Sequence, residues 1–159
     1  MMTRRTITAL AALAAATLLA APAMAQTKLK WGHVYETSEP FHTESVWAAA
    51  EFAKRTNNKY QIEVFPASQL GKETDINQGL ALGSVDIIIS GASFAARSFP
   101  PIGVGYYPFT FKSPEHLLAF AKSDVFKDLA KGYEEKTGHI ITATTYYGTR
   151  HTTSNKPFK

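Results

Sequence analysis

Three short β-favouring runs separated by two helical patterns constrain this chain more than any other feature. Residues 29–35 (LKWGHVY) and 60–66 (YQIEVFP) alternate apolar and polar side chains, as strands with two unlike faces do. Residues 85–89 (VDIII) form a short run rich in β-branched residues, suited to a strand buried on both faces. Between the first two runs, Ser38-Glu39-Pro40 marks a helix start, and Val46, Ala49, Ala50 and Ala53 recur at i, i+3, i+4 and i+7 before a stop near Thr56. Trp47 and Phe52 widen that packing face. A second helix is predicted over 72–82, closed by Gly83. Strands joined through helices pair in parallel, so the pattern predicts an α/β fold: a mainly parallel sheet flanked by helices.

The pattern then loosens. Pro100-Pro101, Gly103, Gly105 and Pro108 forbid a long helix over 91–111, where six aromatic rings supply apolar surface. Helices are predicted from Ser113-Pro114-Glu115 and from Ser123-Asp124, the second burying Val125, Leu129 and Tyr133 and ending at Gly138. Residues 140–147 are predicted as a last strand.

Ligands of open parallel sheets bind at the carboxyl ends of the strands, where loops converge. Four loops qualify here: 33–39, 66–71, 90–93 and 148–155. The fourth holds a single arginine, Arg150, among Thr149, Thr152, Thr153, Ser154 and Asn155. A guanidinium is a planar fork of donors that matches a carboxylate or phosphate, and the surrounding hydroxyls and amide satisfy further acceptors. A surface arginine in a polar loop is the competing reading. Gly91-Ala92-Ser93-Phe94-Ala95 admits a rival chemistry, because it resembles a nucleophile elbow after a buried strand. A small secreted serine hydrolase would use Ser93 with Asp124 or Asp128 and His139 or His151, but the proline pair removes the long helix that should follow the elbow.

Other classes are excluded by composition. The chain opens with Arg4-Arg5, an apolar run over 7–21 and Ala23-Met24-Ala25, a secretory signal with cleavage expected near Ala25. The paired arginines permit twin-arginine export, although the fuller motif is absent and the general route fits better. The mature part is then 26–159. Losing two of 17 basic residues against 13 acidic ones lowers the formal charge from +4 to +2, which removes the case for a nucleic-acid partner. There is no cysteine, so an exported chain must be held by its own core and thiol chemistry is excluded. The five histidines are scattered without a metal-ligand spacing. No cofactor and no metal are expected.

Several segments carry a resemblance: Leu29-Lys30-Trp31-Gly32-His33, then FPASQLG at 65–71, GSVD at 83–86, GTR at 148–150 and TSNKP at 153–157. In this order they resemble the DctP-like solute-binding proteins of tripartite ATP-independent periplasmic (TRAP) transporters, over essentially all of 28–159. The resemblance implies a periplasmic-binding-protein-like lobe of a two-lobed protein that closes on a small organic carboxylate and delivers it to TRAP membrane permease subunits, without catalysis. It implies a carboxylate-binding role for Arg150, with His33, Tyr35, Glu36, Ser90, Ser93 and Asn155 lining the cleft. The family's most characteristic arginine lies in a G-x-K-x-R segment further on. The chain ends at Lys159 before it, so the second lobe is expected to be largely missing, with marginal stability or association of the half present. A truncated product without function is the remaining alternative. Val34, Gly91 and Phe94 stand where sialic-acid-binding members carry Asn and Glu-x-x-Arg, which argues against that mode of sugar recognition and leaves open another sugar acid; the small residues of the 90–93 loop suit an organic acid of moderate size.

Overall fold

The computed structural model describes residues 26–151 and 153–157. The export signal read over 1–25, together with Thr152 and residues 158–159, lies outside the described residues. The elements alternate as expected: β1 (Thr27–Gly32), α1 (Pro40–Arg55), β2 (Tyr60–Phe65), α2 (Glu73–Ala81) and β3 (Ile87–Ile88). A single turn α3 (Ala92–Ala95) and a 3-10 segment (Pro100–Tyr106) follow, then α4 (Pro114–Lys122) and α5 (Asp124–Thr137).

The sheet is parallel throughout, in the order β2-β1-β3. Thr27 pairs with Tyr60 and Gly32 with Phe65 on one side of β1, and Trp31 with Ile87 and Gly32 with Ile88 on the other. The first crossover moves outward from β1, and the second passes back over it. With right-handed crossovers the two helices cover opposite faces, and the carboxyl ends of β1 and β3 form the switch point of the sheet.

The two most recognisable sequence segments are latches for this topology. In the Pro66-Ala67-Ser68 turn, Ala67 and Ser68 both take positive φ (48° and 61°), which turns their N–H groups back to the carbonyls of Tyr35 (2.9 Å) and His33 (3.2 Å). The loops after β1 and β2 are thereby tied together, leaving the β1/β3 side open. Gly71 (φ 104°) lets the Asp75 carboxylate accept the Lys72 N–H at 2.8 Å and start α2. In GSVD, Gly83 (φ 73°) ends α2, and Val85 is buried against Gly79, where an added Cβ would stand 2.8 Å from Val85 Cγ2. Asp86 pairs with Lys30 twice, through its N–H to the Lys30 carbonyl (3.0 Å) and its carboxylate to the Lys30 N–H (2.8 Å).

Several expectations are corrected. β1 ends at Gly32; beyond it the His33 N–H donates to the Phe65 carbonyl at 3.1 Å and the Ala67-Ser68 turn takes over the bonding as far as Tyr35. α1 begins at Pro40 after Glu39, without the Ser38 cap. Its buried residues are Ser45 and Ala49, while Val46 is 46 % and Trp47 63 % exposed. Ser45 turns its hydroxyl back to the Phe41 carbonyl (2.6 Å), so a small, internally satisfied side chain takes the close-packed position that hydrophobicity assigns to Val46. On α5, Tyr133 is buried as expected, but Val125 is 62 % exposed and Phe126 packs in its place, on Phe120 with ring centroids 5.4 Å apart. The capping expectations for Ser113, Ser123 and Gly138 hold.

The largest correction concerns 140–147. The segment is not a strand: no ladder forms along it, and Ile140 is 69 % exposed. A β-favouring composition is not enough: a strand also needs a neighbour to pair with its N–H and C=O groups, and among the described residues none pairs with this segment. Trp47, Leu82, Phe109, Val125 and Ile140 are large apolar side chains left exposed.

The two glycines of α2's flanks separate two costs. Gly83→Ala meets only the positive φ, since nothing lies within 4 Å of its added Cβ, and should cost about 1 kcal/mol in urea unfolding. Gly71→Ala adds an approach of 2.7 Å to Asp75 Cβ and should cost about 2–4 kcal/mol. Equal losses would show that the Gly71 turn is not the constraint described.

Candidate ligand-binding site

The carboxyl edge gathers two connected clusters. The first lies beyond β1. Tyr35 packs on Phe41 of α1 (ring centroids 4.5 Å apart) and on Tyr147 (5.2 Å), while Phe41 and Tyr147 stand 5.0 Å apart. The Tyr147 hydroxyl donates to Glu39 Oε2 at 2.6 Å, and Glu39 Oε1 accepts the Glu36 N–H at 2.9 Å. These contacts return the otherwise unpaired 140–151 segment to the sheet edge. Beneath them His33 is 1 % exposed, with Nε2 3.4 Å from His42 Nδ1 and its own Nδ1 buried without a hydrogen bond among the described residues.

The second cluster lies at the β3 end. Glu73, first residue of α2, accepts the Ser90 hydroxyl (3.0 Å) and the Gly91 N–H (2.7 Å) on one oxygen, Oε1. Asn77 donates to Ser90 Oγ (2.8 Å) and to the Glu73 carbonyl (2.7 Å). A Cβ at Gly91 would stand 3.7 Å from Glu73 Oε1 and 3.9 Å from Tyr106 Cε2, so carboxylate and ring flank the same point. Over that Tyr106 ring, 4.9 Å from its centroid, lies the Arg150 guanidinium. The arginine is exposed and the stack orients it.

Electrostatics tie the clusters together. The Tyr35 phenol is pushed up, first by burial and then by the Glu73, Tyr147 and Glu39 groups, with Arg150 pulling the other way. Glu39 is held below the usual carboxylate range by the Tyr147 hydroxyl and the Glu36 N–H, and Tyr147 is raised by the same bond. Burial, then His42, lowers His33 against the opposing Tyr35 backbone and Glu39 carboxylate.

Of the seven residues read from sequence, Arg150, Tyr35, His33 and Ser90 come to this edge. Ser90 spends its hydroxyl on Glu73 and Asn77. Glu36 is exposed and contributes its backbone N–H, and Asn155 lies in an exposed bend without a contact to either cluster among the described residues. Ser93 sits in the four-residue turn α3, and among the described residues no histidine or acid is hydrogen-bonded to it, so the hydrolase reading has no base. Among the described residues no group of three metal-ligating side chains occurs, and no helix is long and apolar enough to cross a membrane. Sequence reading missed Glu73, which looks like an ordinary first-turn acid, and treated Glu39 only as part of a helix start. The available signal was their place in helix starts that follow carboxyl-edge loops.

Comparison with known proteins adds an independent line. Residues 31–159 match the DctP family model, bacterial extracellular solute-binding protein, family 7. A solute-binding protein of Roseobacter denitrificans is 31% identical over 158 residues, which is 96% of this chain and 48% of that protein. Its crystal structure, a TRAP periplasmic solute-binding protein with bound L-galactonate, superposes with TM-score 0.67 at 30% identity, covering 70% of this chain and 37% of that one. A TRAP periplasmic solute-binding protein from Sulfurospirillum deleyianum with bound succinate gives TM-score 0.65 at 26% identity, covering 70% and 36%. The chain therefore spans about half the length, or less, of the relatives it matches.

His33 gives the edge a pH signature. Its folded-state pKa lies below the ordinary 6.5, so its contribution to stability is complete above 6.5 and is lost as pH falls from there towards the folded value. Thermal midpoints should drop as pH falls below about 6.5, and His33→Gln should flatten that part of the profile. An unchanged slope in the variant would remove His33 as its source.

Proposed function

Because the chain belongs to family 7 of the bacterial extracellular solute-binding proteins, we propose that it captures a small organic carboxylate on the Arg150 guanidinium and passes it to TRAP membrane permease subunits. The observation that carries the reading is the Arg150–Tyr106 stack at the switch point of a parallel sheet. Stacking leaves the edge of the guanidinium, where its paired donors lie, free to meet a carboxylate. Tyr35, His33 and Ser90 form the bed of the site. Glu36, whose backbone N–H holds Glu39, and Ser93 and Asn155, which make no hydrogen bond to either cluster among the described residues, are proposed as rim contacts.

The relatives support an acid as ligand, since the structures compared hold L-galactonate and succinate. The proposed setting is the periplasm, reached by export and cleavage near Ala25. Binding proteins of this kind work by closing around the ligand, which desolvates the ion pair and strengthens it. Tests therefore belong on the product of the complete reading frame.

Calorimetric titration of that product with organic acids should give saturable binding. Arg150→Ala should weaken it by about 2–4 kcal/mol, roughly 30- to 1000-fold, through loss of a charge-assisted pair. Unchanged affinity in Arg150→Ala would contradict the assignment.

A further inference from the structure

The carboxylate reading leaves the rest of the ligand undefined, because relatives holding a hydroxylated acid and a dicarboxylate are about equally similar in fold. Glu73 bears on that choice. Its Oε1 is held by the Ser90 hydroxyl and the Gly91 N–H, and Asn77 fixes Ser90 in turn. A carboxylate locked on one oxygen presents the other in a set direction, and among the described residues Oε2 accepts no hydrogen bond. Its surroundings are shared: a Cβ at Gly91 would stand 3.7 Å from Glu73 Oε1, 3.9 Å from Tyr106 Cε2 and 3.6 Å from Ser93 Oγ, and Arg150 lies over the Tyr106 ring.

We propose that Glu73 sets the ligand class of this site: its outer oxygen accepts a ligand hydroxyl and its charge repels a second carboxylate, selecting a polyhydroxylated monocarboxylate over a dicarboxylate. The proposal rests on the carboxylate reading of Arg150. An ionised carboxyl group only accepts, so its partner on the ligand must be a donor. A second ligand carboxylate offers none and adds like charge in a site shielded from water once closed. A ligand ammonium would donate, but it would share the Tyr106 wall with the Arg150 cation. A neutral hydroxyl satisfies Glu73 without either repulsion. The glycine at 91 serves the same end, since a side chain there would fill the space between the Glu73 carboxylate and Tyr106.

The test uses the product of the complete reading frame, titrated calorimetrically with L-galactonate, L-gulonate and succinate. The native protein should prefer at least one hydroxylated acid to succinate by about tenfold or more. Glu73→Gln keeps an oxygen for Ser90 and Gly91 and turns an NH2 group outward, so it should shrink that preference about tenfold or more and improve succinate binding. Native binding of succinate as tight as that of either hydroxylated acid, or an unchanged ratio in a folded Glu73→Gln, would overturn the proposal while leaving Arg150 intact. Should Glu73→Gln not fold, Glu73→Asp decides: it keeps the charge but withdraws it, so hydroxylated-acid affinity should fall without a gain for succinate. Unchanged affinity for the hydroxylated acid there would overturn it. Binding of none of the three acids would instead count against the carboxylate reading itself.

Discussion

Parallel strands cannot be joined by a tight turn, and the arrangement of this chain depends on that constraint. Each strand must hand over to a helix before the next can pair, and the order β2-β1-β3 sends the first crossover one way and the second the other. Loops leaving β1 and β3 therefore diverge, and the gap between them is where polar groups can face a ligand without breaking the core. The buried residues Ile76, Val85 and Ala49 lie on the helices and the approach to β3, so the core sits behind this edge and leaves it to loops.

The most recognisable segments of the sequence maintain that geometry and do not touch the ligand in this account. The Ala67-Ser68 turn closes the β1/β2 side by bonding to the Tyr35 and His33 carbonyls, and it fixes the two side chains that floor the site. GSVD sets β3 against β1 through Asp86 and Lys30, and so fixes where Ser90 and Gly91 emerge. The proposed recognition then falls to groups that carry little sequence signature: one arginine stacked on a tyrosine, and one glutamate held by its neighbours.

What was legible in the sequence follows from this division. β-favouring runs identify strands where another strand pairs with them, which is why β1, β2 and β3 were readable and the 140–147 segment was not: among the described residues nothing pairs with it. Hydrophobicity placed Ala49 on the buried face of α1 correctly but chose Val46 where close packing favours the small Ser45. Arg150 stood out as the lone cation in a polar loop. Glu73 did not, because an acid in a first helical turn already has a sufficient explanation in the helix dipole, and only the folded arrangement reveals the Gly91 N–H and the Ser90 hydroxyl on it. The burial of His33 was hidden for a similar reason: a histidine at a strand end is ordinary until α1 brings His42 against it.

The most direct measurement is a crystal structure of the complete reading-frame product grown with a hydroxylated acid such as L-galactonate. The account predicts the ligand at the carboxyl ends of β1 and β3, its carboxylate bonded to the Arg150 guanidinium at about 2.8 Å. A ligand bound elsewhere, or one whose carboxylate is held by other groups while Arg150 faces solvent, would contradict it.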